Sequence, residues 1–94
     1  MSPDALFPLG QARASPAALD AMRRCGVAPS LLLFRHRTGD WGEIDFSYEK
    51  ANYDAIAAGN QIISAFLYPS AIFYVVTTGD RVNTTICLPS EIKK

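Results

Sequence analysis

The chain has 94 residues, 49% of them hydrophobic and 19% charged, and its nine basic and nine acidic residues cancel. A chain of this length makes one domain that buries roughly 60–65% of the surface its unfolded form exposes, enough for one modest core. The composition excludes a disordered segment, bulk charge argues against a large nucleic-acid footprint while leaving a local basic patch open, and no apolar run approaches the ~20 residues of a membrane span.

In chain order, residues 1–14 carry two prolines and a glycine, and "FPLGQARAS" reads as an N-terminal arm or a short edge strand. "SPAALDAMRRCG" predicts a helix: Ser15 suits the N-cap, Pro16 the first helical position, Leu19 and Met22 a common face, Arg23 and Arg24 the last turn, and Gly26 the stop. "APSLLLFRHRTG" predicts a second helix from Pro29 to a stop at Gly39. Asp45 can cap a third, "FSYEKANYDAIAAG", with Phe46, Tyr53 and Ile56 as a partial apolar stripe and Gly59 at its end.

After Gly59 the pattern changes to "QIISAFLY", "AIFYVVTT" and "RVNTTICL", which are rich in β-branched and aromatic residues. "YPSA" places Pro69 in a tight turn, and Gly79-Asp80 suits a two-residue hairpin loop. These readings give a single α+β domain over residues 1–94. Three N-terminal helices pack on a three- to four-stranded antiparallel sheet, a C-terminal β-meander whose last strand is residues 81–88, followed by a polar tail at 90–94. A sheet with helices on one face should alternate apolar with polar, yet both faces read as apolar here. We expect Ile63, Ala65, Leu67, Phe73 and Val75 to form a second face, covered by residues 6–14 or, as the slightly favoured alternative, by a twin subunit. A chain of zero net charge has little repulsion to keep copies apart.

Cys25 and Cys87 lie far apart with no His or Cys cluster beside them, so we expect two reduced buried thiols and no metal site. No cofactor motif is present: Gly39 and Gly42 lack the rest of a phosphate loop, and Glu43, Asp45 and Glu49 suit helix-start charge better than a metal cluster. The N-terminus lacks a basic segment followed by a long apolar run, so no secretory signal is expected and the cytoplasm is the expected location.

From Phe7 to Glu91 the chain resembles a family of small bacterial proteins without an established activity, found on plasmids, in phage-derived regions and beside mobile elements. The likeness rests on "LGQARASPAALDAM", "FRHRTGDWGEI", "NYDAIAAG" and "TTGDRVNTTICLPSEI". Within it, RH-x-x-GDWG and DR-x-x-TT-x-x-LP are the specific stretches. The chain departs from the family pattern at Thr78, where the family has Glu, and at Ile92-Lys93-Lys94, where the family ends on an aromatic residue. The order of helices and hairpin-linked strands also looks like the barnase/RelE-like ribonuclease toxins, a likeness of architecture alone.

The stretch "RHRTGDWGEID" concentrates the polar chemistry and has three readings. In the structural one, Arg35, His36 and Arg37 favour the dipole in the last turn of a helix, Gly39 ends it, Asp40 bonds turn amides, and Trp41 packs under the third helix. In the catalytic one, Arg35 and His36 converge with Arg81, Thr84 and Thr85 on a groove, His as acid or base, Arg and Thr as phosphate holders. In the third, Arg37, Asp40 and Trp41 form a protein-binding surface, to which the second-face residues Phe73 and Val75 add. Two functions follow. The first is a small cytoplasmic factor that binds a protein partner or itself and modulates a host system such as restriction or CRISPR defence from a mobile element. The second is a metal-independent, toxin-like ribonuclease, the only reading that calls for RNA as a partner. Neither involves a membrane.

Overall fold

The computed structural model describes residues 5–44 and 46–92. Their order is β1 (Gln11–Ala14), α1 (Pro16–Cys25), α2 (Pro29–Arg37), α3 (Phe46–Ala58), β2 (Ile62–Tyr68), β3 (Ala71–Thr77) and β4 (Asn83–Cys87), closed by a 3-10 turn at Pro89–Glu91. The domain is α+β, but its sheet is mixed. The strand order is β1-β4-β3-β2, and β1 pairs parallel with β4. The all-antiparallel expectation therefore fails at the N-terminal arm. Three helices lie between β1 and the meander, and that long crossover allows the arm to return parallel to the last strand. None of the helices is long and apolar enough to cross a membrane among the described residues.

Local chemistry accounts for most element ends. The Ser15 hydroxyl accepts the Ala18 amide at 3.1 Å, with Pro16 at the first helical position of α1. Thr38 caps α2 by donating to the Phe34 carbonyl at 2.8 Å. The N-cap expected at Asp45 lies outside the described residues. The buried side of α3 holds Asn52 and Ala55, while Tyr53 is half exposed.

The β2–β3 turn fixes which residues form the core. Two residues separate Tyr68 from Ala71, so even positions of β2 face odd positions of β3: Ser64 opposite Val75, Phe66 opposite Phe73. Opposed residues point to the same side of a sheet. Phe73 and Val75 therefore lie on the helix side, fully buried with Phe66, Ile86, Met22 and Leu32. This corrects their expected place on the second face, which is formed by Ile63, Ala65, Leu67, Ile72, Tyr74 and Val76. Nor does the arm cover that face: Phe7 and Leu9 pack on the helix side, against Trp41 and Ile62.

The β3–β4 connection also differs from expectation. Thr78 N–H donates to the Asn83 carbonyl and Arg81 N–H to the Thr78 carbonyl, at 3.0 and 2.9 Å. The loop is thus Gly79–Val82, longer than a Gly79-Asp80 turn, and β4 starts at Asn83 rather than at 81. Arg81 adopts a positive φ of 63°, a conformation that costs a non-glycine residue about 1–2 kcal/mol. Pro89–Glu91 is ordered rather than a free tail: the Glu91 carboxylate accepts from Ser15 Oγ at 2.6 Å and from Leu88 N at 2.8 Å.

The outer edge of β2 is sealed twice. Ala65 donates to the Trp41 carbonyl and accepts from Glu43 N–H, at 3.0 and 2.7 Å. Two positions back, the Asn52 side-chain amide donates to the Ile63 carbonyl at 2.7 Å and accepts its N–H at 3.1 Å, standing in for a neighbouring strand. Blocking an edge in this way prevents strand addition from another chain. Asn52→Ala removes both bonds and should cost about 1–3 kcal/mol, read as a lower urea midpoint with an unchanged m-value.

Candidate functional site

The residues with chemical potential gather on the helix side of the sheet, near the C-terminal end of α2. His36 is fully buried. Its Nδ1 lies 2.5 Å from Ser64 Oγ and its Nε2 2.9 Å from Thr77 Oγ1. Thr77 Oγ1 is 2.7 Å from Thr84 Oγ1, and Thr84 donates to the Leu9 carbonyl at 2.7 Å. The carbonyl can only accept, and this sets the direction of the bonds back to His36 Nε2. Thr84 spends its proton on Leu9, Thr77 donates to Thr84, His36 Nε2–H donates to Thr77, and Ser64 donates to Nδ1. The carbonyl thus fixes a proton on Nε2, and burial, which disfavours the charged ring, leaves Nδ1 as the acceptor of the Ser64 hydroxyl. Burial pushes the His36 pKa down from 6.5 to about 3.

Aromatic rings surround the imidazole. Phe7 and Trp41 meet it edge-on, with centroids at 5.1 and 5.9 Å. Trp41 stacks on Phe7 and meets Tyr53 of α3 edge-on at 5.6 Å. It is only 4% exposed. Its indole N–H is the one buried side-chain polar atom without a hydrogen-bond partner among the described residues. Trp41 is thus a core residue under α3 and no part of an exposed binding surface.

The charged members are also engaged. Arg35 holds Asp40 through two bonds, at 2.7 and 3.3 Å, and lies over the Phe66 ring at 4.3 Å. That hydrogen bond keeps the Asp40 carboxyl below the usual carboxylate range. Asp40 also accepts from Gly42 N at 3.2 Å. Gly42 has a φ of 74°, and a Cβ there would stand 2.1 Å from the Ala65 carbonyl oxygen, so only glycine lets this turn reach the β2 edge.

Arg81 lies apart from Arg35. Its guanidinium donates to the carbonyls of Ala55, Asn60, Thr78 and Gly79 at 2.7–3.2 Å, capping the end of α3 and stitching it to the β3–β4 loop. Gly10 (φ 65°) presses against the same loop, where a Cβ would meet the Val82 carbonyl oxygen at 2.2 Å. Thr85 is on the opposite face of the sheet from Thr84. Of the five residues of the catalytic reading, only His36 and Thr84 come together, through Thr77, in the core. The five share no groove.

Sequence reasoning missed Ser64, Thr77 and Asn52. Ser64 and Thr77 could have been found as polar residues at helix-facing positions of apolar strands, where a buried hydroxyl needs a partner. Of the proposed interface residues, Arg37 is exposed with no ion pair among the described residues; it lies over the Phe34 ring at 5.7 Å. Phe34, Arg37, Leu9, Ser30 and Leu33 line an open cleft of about 240 Å³, below the roughly 300–1,000 Å³ of small-molecule sites. Cys25 and Cys87 are free and half-buried rather than fully buried, and burial pushes the Cys87 thiol up. No group of three or more potential metal ligands occurs among the described residues.

Two outcomes follow from this geometry. The folded state binds the His36 proton more weakly than the unfolded chain. Stability from this group is therefore full above pH 6.5 and is lost as pH falls toward about 3, on the order of 4–5 kcal/mol in all. Melting temperature against pH should fall through this window, and a folded His36→Asn variant should show a shallower slope. Trp41→Ala should cost about 3–5 kcal/mol in chemical denaturation, whereas wild-type stability would place Trp41 outside the core.

No family model, curated protein or solved structure matches the chain, so the motif likeness rests on the residues quoted for it and function must be read from the geometry.

Proposed function

We propose that this chain is a protein-binding, modulatory factor without catalytic activity, and that its partner docks on the exposed side of α2. One observation carries the reading: α2 presents two large apolar side chains to solvent, Leu31 and Phe34, beside the exposed Ser30 and Arg37. Leu31 is 47% and Phe34 37% exposed, and Leu6, brought beside the helix by its N–H bond to the Arg37 carbonyl, is 42% exposed. Aromatic side chains and arginine dominate binding energy at protein interfaces, and Phe34 with Arg37 over its ring supplies both. The interface expected around Trp41 thereby moves to Phe34 and Arg37. The setting is the one the motif likeness implies, a mobile element whose small protein inhibits or modulates a host system such as restriction or CRISPR defence.

The ribonuclease alternative lacks support at its central residue. A general base must reach the proton it abstracts and titrate near the working pH. His36 is fully buried and neutral, with both nitrogens committed.

The test compares matched baits. Purified wild-type chain should retain one stoichiometric protein from a host carrying the target system. Phe34→Ser and Arg37→Glu should lose it at unchanged melting temperature, because truncating an interface anchor costs about 2–4 kcal/mol, a factor of 30 or more in affinity. RNA cleavage by the pure chain in chelator, abolished by a folded His36 variant, would contradict the proposal.

A further inference from the structure

We infer that the cleft beside α2 receives an acidic–apolar segment of the partner protein, which sets one large apolar side chain between Leu9 and Phe34 and a carboxylate, two positions away, on the Arg37 guanidinium. The inference rests on the α2 docking reading and adds the chemistry of what docks there.

The cleft runs along α2 because Ser30, Leu33, Phe34 and Arg37 follow the i, i+3, i+4, i+7 spacing of one helix face. Leu9 of the arm forms the other wall, held by the Thr84 hydroxyl, which donates to its carbonyl at 2.7 Å. A volume of about 240 Å³ equals roughly eight water volumes of ~30 Å³ each. That admits one leucine or phenylalanine side chain. The rest of the ligand stays outside, where Leu31 is 47% exposed on the adjoining side of the helix. A segment of a larger molecule meets this shape better than a whole small molecule does.

Charge selects the carboxylate. The segments bordering the cleft, residues 5–10 and 28–39, hold no carboxylate. Their two arginines differ. Arg35 is committed to Asp40 at 2.7 Å, whereas the Arg37 guanidinium has neither an ion-pair partner nor a hydrogen-bond acceptor among the described residues. Arg37 lies over the Phe34 ring at 5.7 Å, which orients the planar group and leaves its N–H groups free. One guanidinium matches one carboxylate through two parallel bonds. Phosphoryl groups are generally met by clusters of arginines, and this cleft has a single one. An extended segment carries side chains two positions apart on the same side, about 7 Å from each other. That separation joins an anchor beside Phe34 to a carboxylate on a guanidinium 5.7 Å from the same ring.

An NMR titration with capped tripeptides tests this. Acetyl-Phe-Ala-Glu-amide should bind with a Kd of about 1 mM and shift the Leu9 and Leu33 methyls and the Arg37 Nε–H. Acetyl-Phe-Ala-Gln-amide and acetyl-Ala-Ala-Glu-amide should each bind about tenfold more weakly. Raising salt from ~0.05 to ~0.5 M should weaken the Phe-Ala-Glu peptide and leave the Phe-Ala-Gln peptide unchanged. Arg37→Gln, at an exposed position, should bring the Phe-Ala-Glu peptide down to the level of Phe-Ala-Gln at unchanged melting temperature. Equal binding of these two peptides, or binding of neither, would overturn the inference, while loss of the captured protein in Phe34→Ser would still uphold the docking reading. Shifts at Leu67 and Ile72 in place of Leu9 and Leu33 would overturn it too. So would Leu33 shifts that follow protein concentration without peptide, which would put a second copy in the cleft.

Discussion

The buried hydrogen-bond chain from Ser64 through His36, Thr77 and Thr84 to the Leu9 carbonyl is the constraint on which the rest of the structure depends. It joins α2, three strands and the N-terminal arm inside an aromatic shell, where each unmet polar group would cost about 1–3 kcal/mol. Its members also specify register. Sliding β3 by one position would turn Thr77 to the open face and leave the imidazole Nε2–H unpaired. The terminal carbonyl makes Nε2–H a donor and burial keeps the ring neutral, so His36 is a structural donor and acceptor rather than a proton shuttle.

The remaining motif residues do comparable work at the joints. Gly10 lets the arm touch the β3–β4 loop, and Arg81 ties that loop to the end of α3. Arg35 and Asp40 close the turn after α2, Gly42 lets that turn reach the sheet edge, and Asn52 seals the same edge from the helix side. So many specific residues yield no open site because each is used where two elements meet. Outside these joints, α2 presents Leu31 and Phe34 to solvent beside Ser30 and Arg37, and β2 and β3 present Leu67 and Ile72.

Much of this was legible in the sequence. Ser15-Pro16, Gly26 and Gly39 mark helix ends by local chemistry, and the three-strand meander follows from β-branched runs and Pro69. The helix-end reading of the RHRTGDWG stretch matches the observed placement of Arg35, Asp40 and Trp41. What escaped depends on contacts far apart in the chain. The parallel pairing of β1 with β4 needs a three-helix crossover that no local pattern announces. The face of Phe73 and Val75 turns on the residue count of one tight turn, and a different count would have exchanged the two faces of β3. Arg81 broke the expected two-residue loop because its guanidinium reaches carbonyls up to 26 positions away, a gain invisible to turn propensity.

The central claim is that His36 is a neutral structural residue protonated on Nε2. The most direct measurement is the imidazole ¹⁵N NMR spectrum of the folded chain between pH 7.5 and 4.5. The two ring nitrogens should remain distinct, with the proton on Nε2, and should not titrate while the chain stays folded. A titration midpoint near 6.5, or a proton on Nδ1, would contradict the account and return His36 to the set of groups available for chemistry.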